Sequence, residues 1–212
     1  MRFSKNLLLT LFMVVGVAGS ARANLLTNGG FEDTVIGTNS FSPNIPVAGW
    51  STPISIFNGV TGIPWPTAYE GNQFADISNL VGPVYSQTFS VVVGSMFTVS
   101  WAENTGYYGG NIQATSPYLV TLTGSVGTIF AGAYDAYNYG QWQVISQSSF
   151  LSAGNYTLSF APQGSFGGYD TLIDAVSVEA NSVPDAGMST GAALGGVLAV
   201  LAGASRLRRR LS

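Results

Sequence analysis

The chain has 212 residues, 46% of them hydrophobic and 12% aromatic but only 8% charged, against roughly 25% charge in an ordinary soluble domain. It carries 27 Gly and 9 Pro and has neither Cys nor His. That excludes Ser–His and Cys–His nucleophile pairs, ordinary zinc sites, haem and iron–sulfur ligation and any disulfide framework. The seven basic residues all lie toward the termini, at Arg2, Lys5, Arg22, Arg206, Arg208, Arg209 and Arg210, and residues 24–180 contain acids alone. Nucleic-acid binding needs Lys and Arg to displace phosphate counterions and is excluded for that stretch; phosphate and anionic polymers are disfavoured for the same reason.

Taken in chain order, Arg2 and Lys5 precede an uncharged apolar run over residues 7–19, followed by Ala21-Arg22-Ala23. A basic start, a short apolar run and a small-x-small ending read as a secretory signal peptide over residues 1–23, cleaved after Ala23. The run is too short to span a bilayer comfortably. A buried N-terminal helix is the alternative.

Residues 24–180 lack a long helical periodicity and show short alternating runs punctuated by Gly, Pro, Asn and Ser. Runs fall over 73–78, from Val84 through Gln87, Phe89 and Val91, through Phe97, Val99 and Trp101, through Tyr118, Val120 and Leu122, over 126–131 and 141–150, through Tyr156, Leu158 and Phe160, and over 171–179. Eight to ten strands at this spacing predict one all-β domain, a single antiparallel jelly-roll β-sandwich, and not a parallel α/β sheet.

The domain opens with Asn24-Leu25-Leu26-Thr27-Asn28-Gly29-Gly30-Phe31-Glu32, continues through Gly49-Trp50, Gly71-Asn72-Gln73-Phe74-Ala75-Asp76 and Gly154-Asn155-Tyr156, and closes with Tyr169-Asp170-Thr171-Leu172-Ile173-Asp174-Ala175-Val176-Ser177-Val178. This series resembles the galactose-binding-like jelly-roll superfamily, which includes several carbohydrate-binding modules. The resemblance implies a nine- or ten-stranded sandwich whose first and last strands lie close together.

Asp174 alternates in phase with Leu172, Val176 and Val178. If that face is buried, a carboxylate sits among apolar groups with no Lys, Arg or His to pair with it, which is costly. Protonation, a shell of backbone N–H donors, or a metal ion are the ways out. Ca²⁺ takes six to eight oxygen ligands, the donor type this domain has in excess. In the carbohydrate-binding modules it resembles, a structural Ca²⁺ sits where the first and last strands meet. Carried over, that implies Glu32 and Asp174 as ligands, with Asn28 and Asn72 as looser carbonyl donors. The alternative is that both acids are solvated or bond backbone amides.

Three segments are dense in aromatic residues: 64–70 around Trp65, 106–110 with Tyr107 and Tyr108, and 134–142 with Tyr137 and Trp142. Flat rings match the C–H faces of sugars, and Asp, Asn and Gln match their hydroxyl edges. Tyr offers a large contact area with few rotors. These residues are the candidates for contact with a neutral glycan, the alternative being that they pack over the sheet, since Tyr and Trp suit strands. A glycosidase needs two carboxylates about 5–10 Å apart across a cleft. No acid–x–acid pair lies on a strand face here, and the adjacent Glu32 and Asp33 would point apart in a strand. Catalysis is therefore not expected.

The chain ends, over residues 181–212, with Val183-Pro184-Asp185-Ala186-Gly187, a charge-free apolar stretch and Arg206-Leu207-Arg208-Arg209-Arg210. At about 1.5 Å per residue the stretch 186–205 reaches roughly the 30 Å of a hydrocarbon core, so a transmembrane helix is expected. The arginines would stay cytoplasmic and residues 24–180 would lie outside. This order of motif, apolar helix and arginine cluster resembles the PEP-CTERM class of bacterial sorting signals, read by membrane protease-transpeptidases called exosortases. The motif resembles the VPDSG variant with Ala186 in place of Ser. The resemblance implies cutting near the motif by an exosortase-type partner and transfer to the cell surface or extracellular matrix. An uncut single-pass anchor is the alternative.

The sequence thus predicts a secreted, surface-sorted, non-catalytic sandwich that binds a neutral polysaccharide. A structural matrix or biofilm component with Ca²⁺-dependent association, and no specific sugar, is the second reading.

Overall fold

The computed structural model describes residues 23–59, 66–78, 84–107, 116–136, 140–163 and 169–181. The signal segment through residue 22, Trp65, Tyr108, Tyr137, the motif Val183, Pro184, Asp185, Ala186 and Gly187, the helix expected over 186–205 and the arginines 206, 208, 209 and 210 lie outside the described residues, and Tyr107 is described in its backbone only.

Ten strands run in order: β1 (Ser40–Ile45), β2 (Ile54–Asn58), β3 (Phe74–Asp76), β4 (Tyr85–Val91), β5 (Ser95–Tyr107), β6 (Ser116–Gly124), β7 (Gly127–Ala136), β8 (Gln143–Leu151), β9 (Gly154–Pro162) and β10 (Tyr169–Ala180). They form a six-stranded sheet, β1-β2-β3-β10-β5-β8, and a four-stranded sheet, β4-β9-β6-β7. The strand pairs within both sheets are antiparallel, so the domain is an all-β sandwich.

The alternation read in β4, β6 and β9 is the alternation observed, with every second residue turned inward, as expected when one sheet face packs and the other is wet. Trp101, Tyr118, Phe160, Ile54, Leu122 and Leu158 are among the largest fully buried side chains. The wet faces make their polar contacts without Lys or Arg. Hydroxyls pair across strands instead: Thr88 with Thr157 at 3.0 Å, Thr121 with Ser159 at 2.6 Å, Thr98 with Ser148 at 3.0 Å and Ser100 with Ser177 at 2.8 Å. Such pairs are the units of sheet stabilisation.

Two expectations need correction. The opening segment is not a regular strand beside the last one; β1 lies at the far edge of its sheet. Residues 24–29 do lie along β10, through Leu25 N–H to Val178 O and Val176 N–H to Gly29 O, each 2.9 Å. Left-handed backbone at Asn28 (φ 52°) and Phe31 (φ 60°) then turns the chain away before a ladder can form. Second, Asp174 does not share a face with Val176 and Val178. The register of β10 on β5 slips between Asp174 and Ser177, and Ala175 has φ 49°. This β-bulge adds one residue and reverses the phase beyond it. Ile173, Val176 and Val178 enter the main core, whereas Leu172 joins Phe57 and Phe74 in a separate cluster on the outer face of the six-stranded sheet.

The sandwich has two distinct ends. One gathers the strand termini at Tyr107, Ser116, Ala136, Gln143, Pro162 and Tyr169; the other gathers Val91, Ser95, Gly124, Gly127, Leu151, Gly154 and Ala180.

Candidate functional site

The bulge in β10 aims Asp174 outward, beneath the segment 66–73 that crosses the six-stranded sheet. Asp174 is fully buried. Its Oδ2 accepts from the N–H of Tyr69 (2.9 Å) and of Glu70 (3.0 Å), and its Oδ1 from the N–H of Ala175 (2.7 Å). Each such charge-assisted bond contributes about 1.5–3 kcal/mol, and burying a carboxylate costs several. Burial wins: it pushes the Asp174 carboxyl from 3.8 up to about 7, against the lowering effect of the three N–H donors, with the nearby Glu32 charge adding to the rise.

Glu32 holds the other half of the same segment. Its Oε1 accepts from the N–H of Asn72 (2.8 Å) and of Gln73 (2.7 Å). A Cβ on Gly71 would lie 2.4 Å from that oxygen, and Gly71 has φ 65°, so only glycine fits between the carboxylates' attachment points. Gln73 extends the clasp, donating to the Phe31 and Thr34 carbonyls and accepting from Ile36 N–H. Glu32 and Asp174 are thus brought together as two clamps on one loop.

The other two proposed donors are placed differently. Asn28 Oδ1 accepts from Asp33 N–H at 3.0 Å, its main-chain carbonyl accepts from Trp50 Nε1–H and Phe31 N–H, and its buried Nδ2 has no partner among the described residues. Asn72 bonds Glu32 through its backbone and its side chain is exposed. The residues fit a hard cation in part. Two carboxylates face one loop with no basic residue anywhere in 24–180, and among the described residues no N–H or O–H bonds Glu32 Oε2. Among the described residues no three acids converge, so a Ca²⁺ here would draw its remaining oxygens from main-chain carbonyls and amides.

Beside the clasp the outer face carries a row of aromatic rings. Phe41 meets Phe57 (centroids 4.4 Å), Phe57 stacks on Phe74 (5.4 Å), Phe74 meets Trp142 edge-on (5.7 Å), and Trp142 meets Tyr69 edge-on (6.2 Å). Phe57 and Phe74 are buried, whereas Phe41 and Tyr69 are exposed. Trp142 is half-buried and donates Nε1–H to the Thr67 carbonyl at 2.7 Å. This tryptophan therefore packs the 66–73 segment onto the sheet while leaving part of its ring at the surface.

Sequence reasoning missed several groups. Tyr69 belonged to a recognised aromatic segment but was not singled out, and Phe41 gave no signal beyond its place between Ser40 and Ser42. Ser78 Oγ–H lies 2.9 Å from Asp170 Oδ1, and Ser78 also donates to Asp76 Oδ1 through N–H (2.8 Å) and hydroxyl. Burial raises both carboxyls. Glu103 shares the inward phase of Val99 and Trp101 in β5, which is the clue to its role. It accepts a short bond from the Tyr118 hydroxyl, which itself accepts from Trp101 Nε1–H. Burial raises Glu103, and burial together with Glu103 raises Tyr118. Asn104 is buried, with neither amide atom bonded among the described residues.

No family model matches the chain, and no curated protein matches it. Among solved structures, it is similar to a family 61 carbohydrate-binding module in complex with β-1,4-galactotriose, with TM-score 0.50, 13% identity, and coverage of 75% of this chain and 99% of the module. It is also similar to a xylan-binding domain from Paenibacillus barcinonensis, with TM-score 0.45, 15% identity, and coverage of 77% and 99%. A family 4 module gives TM-score 0.44, 14% identity, and coverage of 74% and 99%. The likeness to the first of these is one of fold: residues 24–180 contain an antiparallel two-sheet β-sandwich consistent with a jelly roll.

Proposed function

We propose that this chain is a non-catalytic extracellular protein whose sandwich binds a neutral glycan. The observation that carries the reading is the aromatic row ending in Tyr69 and Trp142, half in and half out of the outer sheet face beside the clasp. Such rings offer flat apolar area at low entropic cost. The family 61 module of similar fold was solved with a galacto-oligosaccharide, which supports a sugar as the ligand class. The all-acid charge of residues 24–180 favours a neutral polymer over an anionic one. The buried carboxylates favour binding over hydrolysis: Asp174 is engaged by backbone amides, Glu103 by Tyr118, and Asp76 and Asp170 meet at Ser78.

In this reading Glu32 and Asp174 hold a structural Ca²⁺, which neutralises the paired charge and pins residues 69–73 to β10. Residues 1–23 export the chain, and residues 181–212 present it to an exosortase-type protease that sorts it to the surface or matrix.

Affinity electrophoresis against neutral polysaccharides, in Ca²⁺ and in chelator, tests the binding. Retardation by at least one polymer, lost in Tyr69→Ala and Trp142→Ala with the fold retained, is expected. Self-association in Ca²⁺ with no retardation by any polymer would replace this reading with that of a structural matrix component.

A further inference from the structure

Of the ten large apolar side chains exposed among the described residues, five gather at one end of the sandwich. Val92 (86% exposed), Val93 (74%), Val126 (88%), Phe150 (63%) and Met96 (43%) share the end of the sandwich where β4, β6, β8 and β10 finish. Met96 and Phe150 are direct cross-strand partners. The Phe150 ring lies over Gly94, next to Val93. The β6–β7 turn carrying Val126 and the β4–β5 turn carrying Val92 and Val93 flank the start of β9 on either side. Single exposed apolar residues need no explanation, but a contiguous apolar end does.

Two further features belong to this end. The turns and strand ends over residues 91–96, 124–128 and 149–155 contain no charged side chain; Asp76, Asp135 and Asp170 lie toward the opposite end, and the acid near this end is the half-buried Glu179, on β10 opposite Thr98. The chain also leaves the sandwich here: Asn181 N–H donates to the Met96 carbonyl at 2.7 Å. Residues 182–185 then separate Asn181 from the apolar stretch 186–205. Even fully extended, that link spans at most roughly 18 Å.

We propose that this end is a membrane-docking face, resting on the outer surface of the lipid bilayer while the C-terminal stretch is inserted. The inference rests on reading 186–205 as a membrane-spanning helix. With so short a link, an anchored domain stays within roughly 18 Å of the hydrocarbon edge, of which the headgroups fill several ångströms, so the end from which the chain leaves is the one that faces the bilayer. Turns without charged side chains and rich in Val, Met and Phe suit that boundary. The acids at the far end are kept from the negative surface of an anionic leaflet. Docking in this pose turns the strand ends that flank the 106–115 and 137–142 aromatic segments away from the membrane and toward external polymer.

The chain has no cysteine, so single labels are unambiguous. Full-length chain with Val93→Cys, Val126→Cys or, as a far-end control, Gln163→Cys is labelled with an environment-sensitive dye. It is then reconstituted into phosphatidylcholine–phosphatidylglycerol vesicles. All three positions are exposed and carry a label without entering the core. Expected are quenching of the 93 and 126 labels by nitroxide lipids, their protection from aqueous iodide, and the reverse at 163. Failure of the chain to float with vesicles overturns the anchor reading and the docking together. Flotation with iodide-accessible labels at 93 and 126 overturns docking alone. Protection without lipid quenching also overturns it: if it depends on protein concentration, a second copy covers the face, and otherwise the chain's own apolar segment does. None of these outcomes depends on whether the sandwich binds a glycan.

Discussion

At the scale of single residues, two glycines mark where this sequence could not be otherwise. A Cβ on Gly29 would meet the Val176 carbonyl oxygen at 1.9 Å, so the opening segment reaches β10 only because that position has no side chain. Gly71 is held twice, by φ 65° and by Glu32 Oε1 at 2.4 Å from its would-be Cβ. Left-handed backbone in a residue other than glycine costs about 1–3 kcal/mol, and the clash adds the displacement of Glu32 from the Asn72 and Gln73 amides. Gly71→Ala should therefore lower the urea midpoint by an amount equivalent to at least about 1–3 kcal/mol. An unchanged midpoint would show that Glu32 does not fix this loop. Glycine by itself says only that space or φ is demanded; the Asn-Gly-Gly-Phe-Glu run gains its meaning once Gly29 abuts β10, Phe31 enters the core and Glu32 turns back over residues 72 and 73.

The strands show the same mixture of what sequence reveals and what it hides. Eight of the ten were legible, most plainly β4, β6 and β9, whose alternation matches a sheet with one wet face. β1 was not: Pro43 and the left-handed Asn44 (φ 50°) interrupt its pattern at a sheet edge. Nor was β2, buried along its whole length, because Phe57 packs into the second aromatic layer while Ile54 and Ile56 fill the core. A strand covered on both faces has no alternation to read. The bulge in β10 was invisible for the opposite reason, since Leu172, Asp174, Val176 and Val178 alternate without a break, and the extra residue shows only in the pairing with β5. Within the site, Glu32 and Asp174 could be picked out from the closing and opening motifs, but the Ser78–Asp170 contact joins residues 92 positions apart that no local pattern links. The bulge itself can be tested. Ala175 sits at φ 49°, where an L-residue is disfavoured by roughly 1–2 kcal/mol. Ala175→Gly should therefore raise the denaturation midpoint by the equivalent of about 1 kcal/mol, part of the relief being offset by the greater entropy of glycine in the unfolded chain. A lower midpoint would mean that this backbone turn is not what aims Asp174.

Over the whole molecule, the decisive fact is a domain of acids without a basic side chain between residues 24 and 180. Buried carboxylates elsewhere are commonly held by Arg or Lys, which depresses their pKa and makes proteins acid-labile. Here burial works unopposed by any cation, and Asp76, Asp170, Asp174 and Glu103 are all raised. For Asp174 the rise runs from 3.8 to about 7. Between those values the folded state holds a proton that the unfolded state releases, so stability falls as pH increases through that window. In chelator, the melting temperature should be higher at pH 5 than at pH 8, the reverse of the usual acid sensitivity. Asp76→Asn keeps an oxygen to accept from Ser78 but cannot ionise, so it should flatten the slope and stabilise the domain at pH 8. Saturating Ca²⁺ at Glu32 and Asp174 would also flatten it, because the metal takes the place of the proton on Asp174. At 100–1,000 times Kd it would add about 3–4 kcal/mol. A melting temperature that rises from pH 5 to pH 8 in chelator would mean that the buried acids are ionised and held by donors stronger than the backbone amides that surround them. A slope unaffected by Ca²⁺ would remove the metal from the clasp and leave it to the backbone amides of Tyr69, Glu70, Asn72, Gln73 and Ala175.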